Sequence, residues 1–139
     1  MKALSLTQPW ATLVILGVKG WETRSWRPRG IALGDRIAIH AAKGWTRDDI
    51  DFAFELAARN ILPRARHAEP DTDLPRGAVL GTVVFTGYRP TAGMHPGDIE
   101  ELLGDFTPGR FAWGLTLPRE FARPVPARGA LGLWQWSRA

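Results

Sequence analysis

The sequence predicts an α+β domain built on a small curved or closed sheet of about five or six strands, flanked by two or three α-helices. Two observations carry this. Strand-like segments recur along the chain without the regular strand–helix alternation that a parallel doubly wound sheet requires. The length of 139 residues, with 45% hydrophobic and 23% charged, suits one domain over 1–139, because a chain of this size buries roughly 70% of its unfolded surface. The longest apolar stretch, residues 11–17 broken by Thr12, is too short to cross a bilayer. The Met1-Lys2 start lacks the apolar run of a secretion signal, so the chain reads as cytoplasmic with no membrane partner.

Residues 3–6 form a short apolar strand. A helix follows from about Gln8, with Thr7 as its N-cap and Pro9 in the first turn, where a missing N–H costs little. Trp10, Leu13, Val14 and Gly17 fall at i, i+3, i+4 and i+7, giving a buried face that Gly17 ends. Residues 20–26 alternate as a strand, with Trp21, Thr23 and Ser25 on one side and Glu22, Arg24 and Trp26 on the other. After a turn at Arg27-Pro28-Arg29-Gly30, residues 35–42 read as a strand that delivers His40 and then Lys43 to its C-terminal end. Residues 46–60 are helical: Thr46 caps, Asp48 and Asp49 complement the positive end of the dipole, and Ile50, Ala53, Phe54 and Ala57 give the buried stripe. Residues 62–77, with Pro63, Pro70 and Pro75, form an irregular connection of unusual length, which leaves open whether it covers a cleft. Further strands are expected at 78–85, 111–117, 121–126 and 132–136, and a short helix at 97–103 with Ile99, Leu102 and Leu103 inward.

The formal net charge of +4 is unevenly spread. Residues 1–47 carry eight Lys/Arg against Glu22 and Asp35, residues 48–105 five against eleven acids, and residues 106–139 five against Glu120. If the two basic ends meet, they make a surface suited to phosphates with an acidic flank. The alternative is a scattered arginine surface, since 15 of the 18 basic residues are Arg. Seven Trp is a high count for this length, and Trp10, Trp21, Trp26 and Trp45 all fall in the basic first segment. Aromatics interleaved with cations can stack bases, although most of the indoles must be core.

The absence of Cys excludes disulfides, thiolate nucleophiles, iron–sulfur clusters and nearly all structural zinc patterns. The three His, separated by 27 and 28 positions, make no ligand spacing, so no metal and no cofactor is expected. There is no P-loop, dinucleotide fingerprint or nucleophile elbow, and Ser5, Ser25 and Ser137 carry no nucleophile signature.

Three groups of residues have chemical potential. In Gly17-Val18-Lys19-Gly20-Trp21-Glu22-Thr23-Arg24 a helix end hands over to a strand, so that Lys19, Glu22 and Arg24 can converge. They either bind an anion, with Glu22 orienting the cations or accepting a proton, or form a surface ion-pair network worth little. His40-Ala-Ala-Lys43-Gly44-Trp45 puts an imidazole, an ammonium and an indole at one strand end, with His40 read either as a base or as a satisfied core residue. Arg110 and Arg128 each stand beside a glycine, where a backbone can approach a phosphate closely.

Taken together, Leu4-Ser-Leu-Thr-Gln-Pro-Trp-Ala-Thr-Leu, Gly17-x-Lys19-x-x-Glu22-x-Arg24, Ile39-His40-Ala41-Ala42-Lys43, Gly109-Arg110-Phe111-Ala112-Trp113 and Gly132-Leu133-Trp134-x-Trp136 resemble the ASCH domain family over almost the whole chain. The resemblance implies a PUA-like fold, a small β-barrel edged by helices, with a cleft where the first helix meets the barrel. Lys19, Glu22 and Arg24 would lie along that cleft. Relatives include nucleic-acid binders, ribonucleases for single-stranded RNA, and amidohydrolases acting on acetylated cytidine. In the amidohydrolase branch a Thr nucleophile stands three residues after the motif Lys; here that position holds Glu22, and Thr23 comes one place later.

These readings give an RNA-binding expectation: Lys19, Arg24, Lys43, Arg110 and Arg128 hold phosphates of single-stranded RNA or a nucleotide, Trp10 or Trp45 stacks a base, and affinity falls steeply with salt. A metal-independent ribonuclease would add attack of the ribose 2′-OH on phosphorus, with Glu22 or His40 as general base and Lys19 and Arg24 stabilising the phosphoryl oxygens. The alternatives are an amidohydrolase for a modified nucleoside such as N4-acetylcytidine and a non-catalytic adaptor.

Overall fold

A six-stranded sheet organises the chain. The computed structural model describes residues 1–138. In chain order the elements are β1 (Lys2–Leu6), α1 (Trp10–Ile15), β2 (Trp21–Arg24), β3 (Arg36–Ala41), α2 (Arg47–Ala58), α3 (Arg64–His67), α4 (Pro70–Asp73), β4 (Ala78–Pro90), α5 (Asp98–Leu103), β5 (Phe111–Pro126) and β6 (Leu133–Gln135). Across the sheet the order is β2-β5-β4-β3-β1-β6. Only β1 and β3 pair in parallel; the other neighbours are antiparallel. The result is a curled half-barrel of the α+β, PUA-like type.

The curl has local causes. Residues 111–117 and 121–126, expected as two strands, are one sixteen-residue strand, β5. It bends where Leu117 takes a positive φ of 47°, and its pairing with β4 shifts register three times. Each shift is a bulge that adds twist. Gly81 sits at one of them with no room for a Cβ, because the Arg119 backbone lies against it. Curling brings β2, at one end of the sheet order, beside β1 near the other. β6 pairs only with residues 2–4 of β1, and the open carbonyl of Ser5 accepts from Arg24 Nη2 at 3.1 Å. A side chain thus replaces a missing ladder bond.

Helix α1 wedges between sheet and helices. Leu13 packs with Leu56, Leu62, Leu74 and Leu103, while Val14 packs into the barrel with Ile37, Ile39, Phe85 and Trp113. Its C-terminus follows the expected glycine stop: Gly17 has φ 77°, Gly17 N–H donates to Val14 O and Val18 N–H to Leu13 O, closing the last turn. The expected Thr7 cap is corrected, because the N-cap position is Pro9 and makes no side-chain bond. The buried Gln8 serves instead, accepting from Thr12 N–H at 3.0 Å and donating to Thr12 Oγ1 and to Pro75 O.

Thr46 and Asp49 form the expected capping box on α2. The buried stripe is Ala53, Leu56 and Ala57 rather than one including Phe54, which is exposed. On α5, Ile99 and Leu102 are exposed and only Leu103 is buried.

Among the described residues there are five helices rather than two or three, because the connection 62–77 contains two single turns, α3 and α4. Leu62, His67, Pro70 and Leu74 are buried, so the connection packs as a strap. His67 is 4% exposed and neither ring nitrogen has a partner. Burial first, and then the charge of Arg66, holds its pKa below the ordinary value, against opposing pulls from Asp73 and Glu120. The unfolded chain therefore binds a proton more readily than the folded one below about pH 6.5. Stability is complete above that pH and falls as the pH drops through it. The Tm is expected to decline between pH 7 and 5, and His67→Leu should flatten that slope. The paired Glu120, held below the usual carboxylate range by Arg66, acts only at lower pH. Among the described residues no helix is long and apolar enough to cross a membrane.

Candidate functional site

Where α1, β2 and α5 meet lies a cleft of about 720 Å3. At its floor, Lys19 Nζ lies 3.0 Å from Glu22 Oε1 and Arg24 Nε lies 2.9 Å from Glu22 Oε2. Lys19 also donates to the Trp21 carbonyl. Their side chains are buried to different degrees, with exposures of 1% for Lys19, 11% for Glu22 and 25% for Arg24. The glycine-terminated helix turns the chain so that Lys19 points back inward, and three positions later β2 presents Glu22 to it.

Trp10 forms a wall. Its Nε1 donates to Leu103 O at 2.9 Å, and its ring stacks on Phe52 of α2 with centroids 5.8 Å apart and planes at 26°. The opposite rim is the 104–110 turn. Arg110 Nη2 donates to Thr23 O at 3.1 Å, and Arg110 Nε lies 3.5 Å from Asp105 Oδ2. The Thr107 hydroxyl and N–H, with the charge of Arg110, hold the Asp105 carboxyl below the usual carboxylate range.

The cleft is not a simple cationic trough. Lys19, Arg24 and Arg110 are matched by Glu22, Asp48, Asp49 and Asp105, all of which line it, and each cation already has a protein acceptor. A phosphate would compete with these pairs. A neutral, planar group with donors and acceptors at one edge would not: it can stack against Trp10 and complete the hydrogen bonding of a carboxylate flanked by two cationic donors.

Of the residues expected to act together, Lys19, Glu22, Arg24, Arg110 and Trp10 do converge here. His40, Lys43 and Arg128 do not: they line a second hollow of about 700 Å3 that shares only Ser5 with the first. The parallel pairing of β1 with β3 sets His40 opposite Ser5, and His40 is held by Ser5 Oγ at 2.9 Å and Ala127 O at 2.8 Å. One hollow for all the cations is therefore corrected to two. Trp45 lies in neither; it packs beside the α2 core with the Arg76 guanidinium over its ring at 5.3 Å. The strap 62–77 lines neither the first cleft nor its rim.

Glu22 and Thr23 are neighbours on β2, whose register against β5 is unbroken, yet both are buried and both line the cleft, because the 104–105 turn folds over the edge strand and Asp105 N–H donates to Thr23 Oγ1. Two contributors escaped sequence reasoning. Phe52 stood on the unassigned side of a misplaced helical stripe. Glu100, whose Oε2 accepts from Gly20 N–H at 2.8 Å, comes from eighty residues away, beyond any local pattern.

A family model for the ASCH domain matches residues 4–124. No curated protein matches the sequence. Among solved structures, the chain is similar to the crystal structure of ASCH from Zymomonas mobilis, with 16% identity, TM-score 0.56, and coverage of 99% of this chain and 87% of that one. A Tyr-to-Phe mutant of the same Zymomonas mobilis protein matches with 16% identity, TM-score 0.54, and coverage of 99% and 90%.

Proposed function

Since the chain belongs to the ASCH domain family, and the matched span contains every residue lining the Lys19–Glu22–Arg24 cleft, we propose that this cleft binds one nucleoside unit of single-stranded RNA, or a free nucleotide. The observation that carries the reading is the Glu22 carboxylate fixed between Lys19 and Arg24 in a cleft that Trp10 also lines. Lone pairs left on its oxygens accept from a base N–H, the flanking cations donate to an adjacent carbonyl or ring nitrogen, and the indole supplies a stacking face. A volume near 720 Å3 suits a nucleoside, within the several hundred Å3 typical of small-ligand sites.

The charge balance shapes the partner. With three cations against four carboxylates, the cleft favours a base and sugar with one or two phosphate contacts over a continuous phosphate track. Cleavage in the same cleft would draw its proton acceptor from Glu22, Asp48, Asp49 or Asp105, all of which line it; the geometry singles none of them out, and binding is the function proposed.

Titration of nucleosides, nucleotides and short single-stranded RNA, followed by calorimetry, tests this. Saturable one-to-one binding is expected, and Trp10→Ala should weaken it about 5- to 150-fold, the 1–3 kcal/mol of a lost base–aromatic stack. Absence of binding by all three ligand types at low salt would overturn the reading.

A further inference from the structure

The second hollow holds an arrangement that the nucleoside cleft does not use. Ser5 Oγ lies 2.9 Å from His40 Nδ1, and His40 Nε2 lies 2.8 Å from the Ala127 carbonyl. A carbonyl only accepts, so the ring proton belongs on Nε2. Nδ1 then turns its lone pair to Ser5, whose hydroxyl must donate. Trp134 Nε1–H donates to the same Oγ at 3.0 Å and favours charge developing on that oxygen. These are the parts of an activated nucleophile: a hydroxyl, a base within hydrogen-bond reach, and a third group fixing the base's tautomer. The pairing of β3 with β4 shifts register between Ile39 and His40, skipping Leu80, an irregularity of the kind found next to sites.

The 127–131 loop packs closely against the pair, and His40 is 2% exposed. A Cβ on Gly129 would lie 2.7 Å from Ser5 Oγ and 2.6 Å from the His40 ring, so only glycine fits there. Gly129 and Ala130 line the hollow. The walls include Ala42, Ala127 and Ala130, and Lys43 and Arg128 supply exposed cations. Residues 127–131 lie beyond the matched family span of 4–124.

We propose that Ser5 and His40 are the nucleophile and general base of a second, acyl-transfer site, which takes a small ester or amide bearing an anionic group. Ser5 Oγ bonds to the acyl carbon as its proton passes to His40 Nδ1. The tetrahedral centre expels the alcohol or amine, which takes that proton back. Water then attacks the acyl-serine by the same route, releasing the carboxylic acid and restoring both side chains. The proposal is independent of nucleoside binding in the first cleft.

The full chain is treated with a fluorophosphonate, and adduct formation is followed by intact-mass and peptide mass spectrometry. A single adduct on Ser5 is expected, absent in Ser5→Ala and formed about 100-fold more slowly in His40→Gln, the scale of a lost general base. Turnover of 4-nitrophenyl hemisuccinate, an ester carrying a carboxylate, is expected to show a KM raised at least about 5-fold in the surface variant Lys43→Ala/Arg128→Ala, the loss of roughly 1 kcal/mol of charge pairing. No adduct on Ser5, or one formed equally fast in folded His40→Gln, overturns the proposal, as does a KM unmoved by removing both cations.

Discussion

Glu22→Ala is expected to lower the free energy of unfolding by about 3–5 kcal/mol, the scale of leaving a buried charge without its partner. Lys19 is almost wholly buried, with 1% of its side chain exposed, and among the described residues Glu22 is its only anionic partner within ion-pair distance. With the carboxylate gone, the ammonium keeps the Trp21 carbonyl but no opposite charge, and Arg24 loses the acceptor for its Nε. The partner variant separates charge from packing. Lys19→Met keeps the buried stem volume, removes the buried cation, and leaves Glu22 paired with Arg24 at 2.9 Å, so its loss should be smaller. Urea denaturation of both variants measures the difference. Equal losses would mean that the site is held by packing alone, and Lys19→Met should still abolish nucleoside binding.

The second large effect is expected at Trp113→Ala, a loss of about 3–5 kcal/mol for deletion of a large core aromatic. Trp113 is fully buried. Its ring meets Trp26 edge-on at 4.9 Å and Phe85 at 6.3 Å, and on β5 it stands opposite Glu22 of β2. The cavity would therefore open beside Glu22 at the cleft floor, since cross-strand partners share a face. Nucleoside affinity should fall along with stability, whereas Trp113→Phe, which fills part of the space, should recover much of both. Thermal unfolding monitored by circular dichroism, with calorimetric titration of the survivors, checks the pair of effects.

Much of this was legible before the fold was known, and the reasons are physical. Gly17 and the capping box at Thr46 and Asp49 were readable because caps are local: their partners lie within four residues. Lys19, Glu22 and Arg24 were readable because a helix stop followed by a strand fixes their relative placement over eight residues. What failed was long-range. The sorting of His40, Lys43 and Arg128 into another hollow depends on β1 pairing β3 and on a loop returning from residue 127. The pairing of Arg110 with Asp105 and the stacking of Phe52 on Trp10 likewise arise only after the sheet curls. Ser5 was passed over because nothing in its neighbours marks a nucleophile; its partners stand 35, 122 and 129 residues away, the second of them reached only through His40. The steep salt response expected from sequence changes for the same reason, since cations counted along the chain are already paired in space.

The most direct test of the nucleoside cleft is the salt dependence of its affinity for a short single-stranded oligoribonucleotide. Each phosphate contact contributes about −0.7 to the slope of log K against log salt. One or two contacts beside a stacked base give an expected slope between about −0.7 and −1.4, with binding retained at physiological salt. A slope of about −3 or steeper would mean a phosphate track and contradict the account, as would failure to bind at any salt concentration.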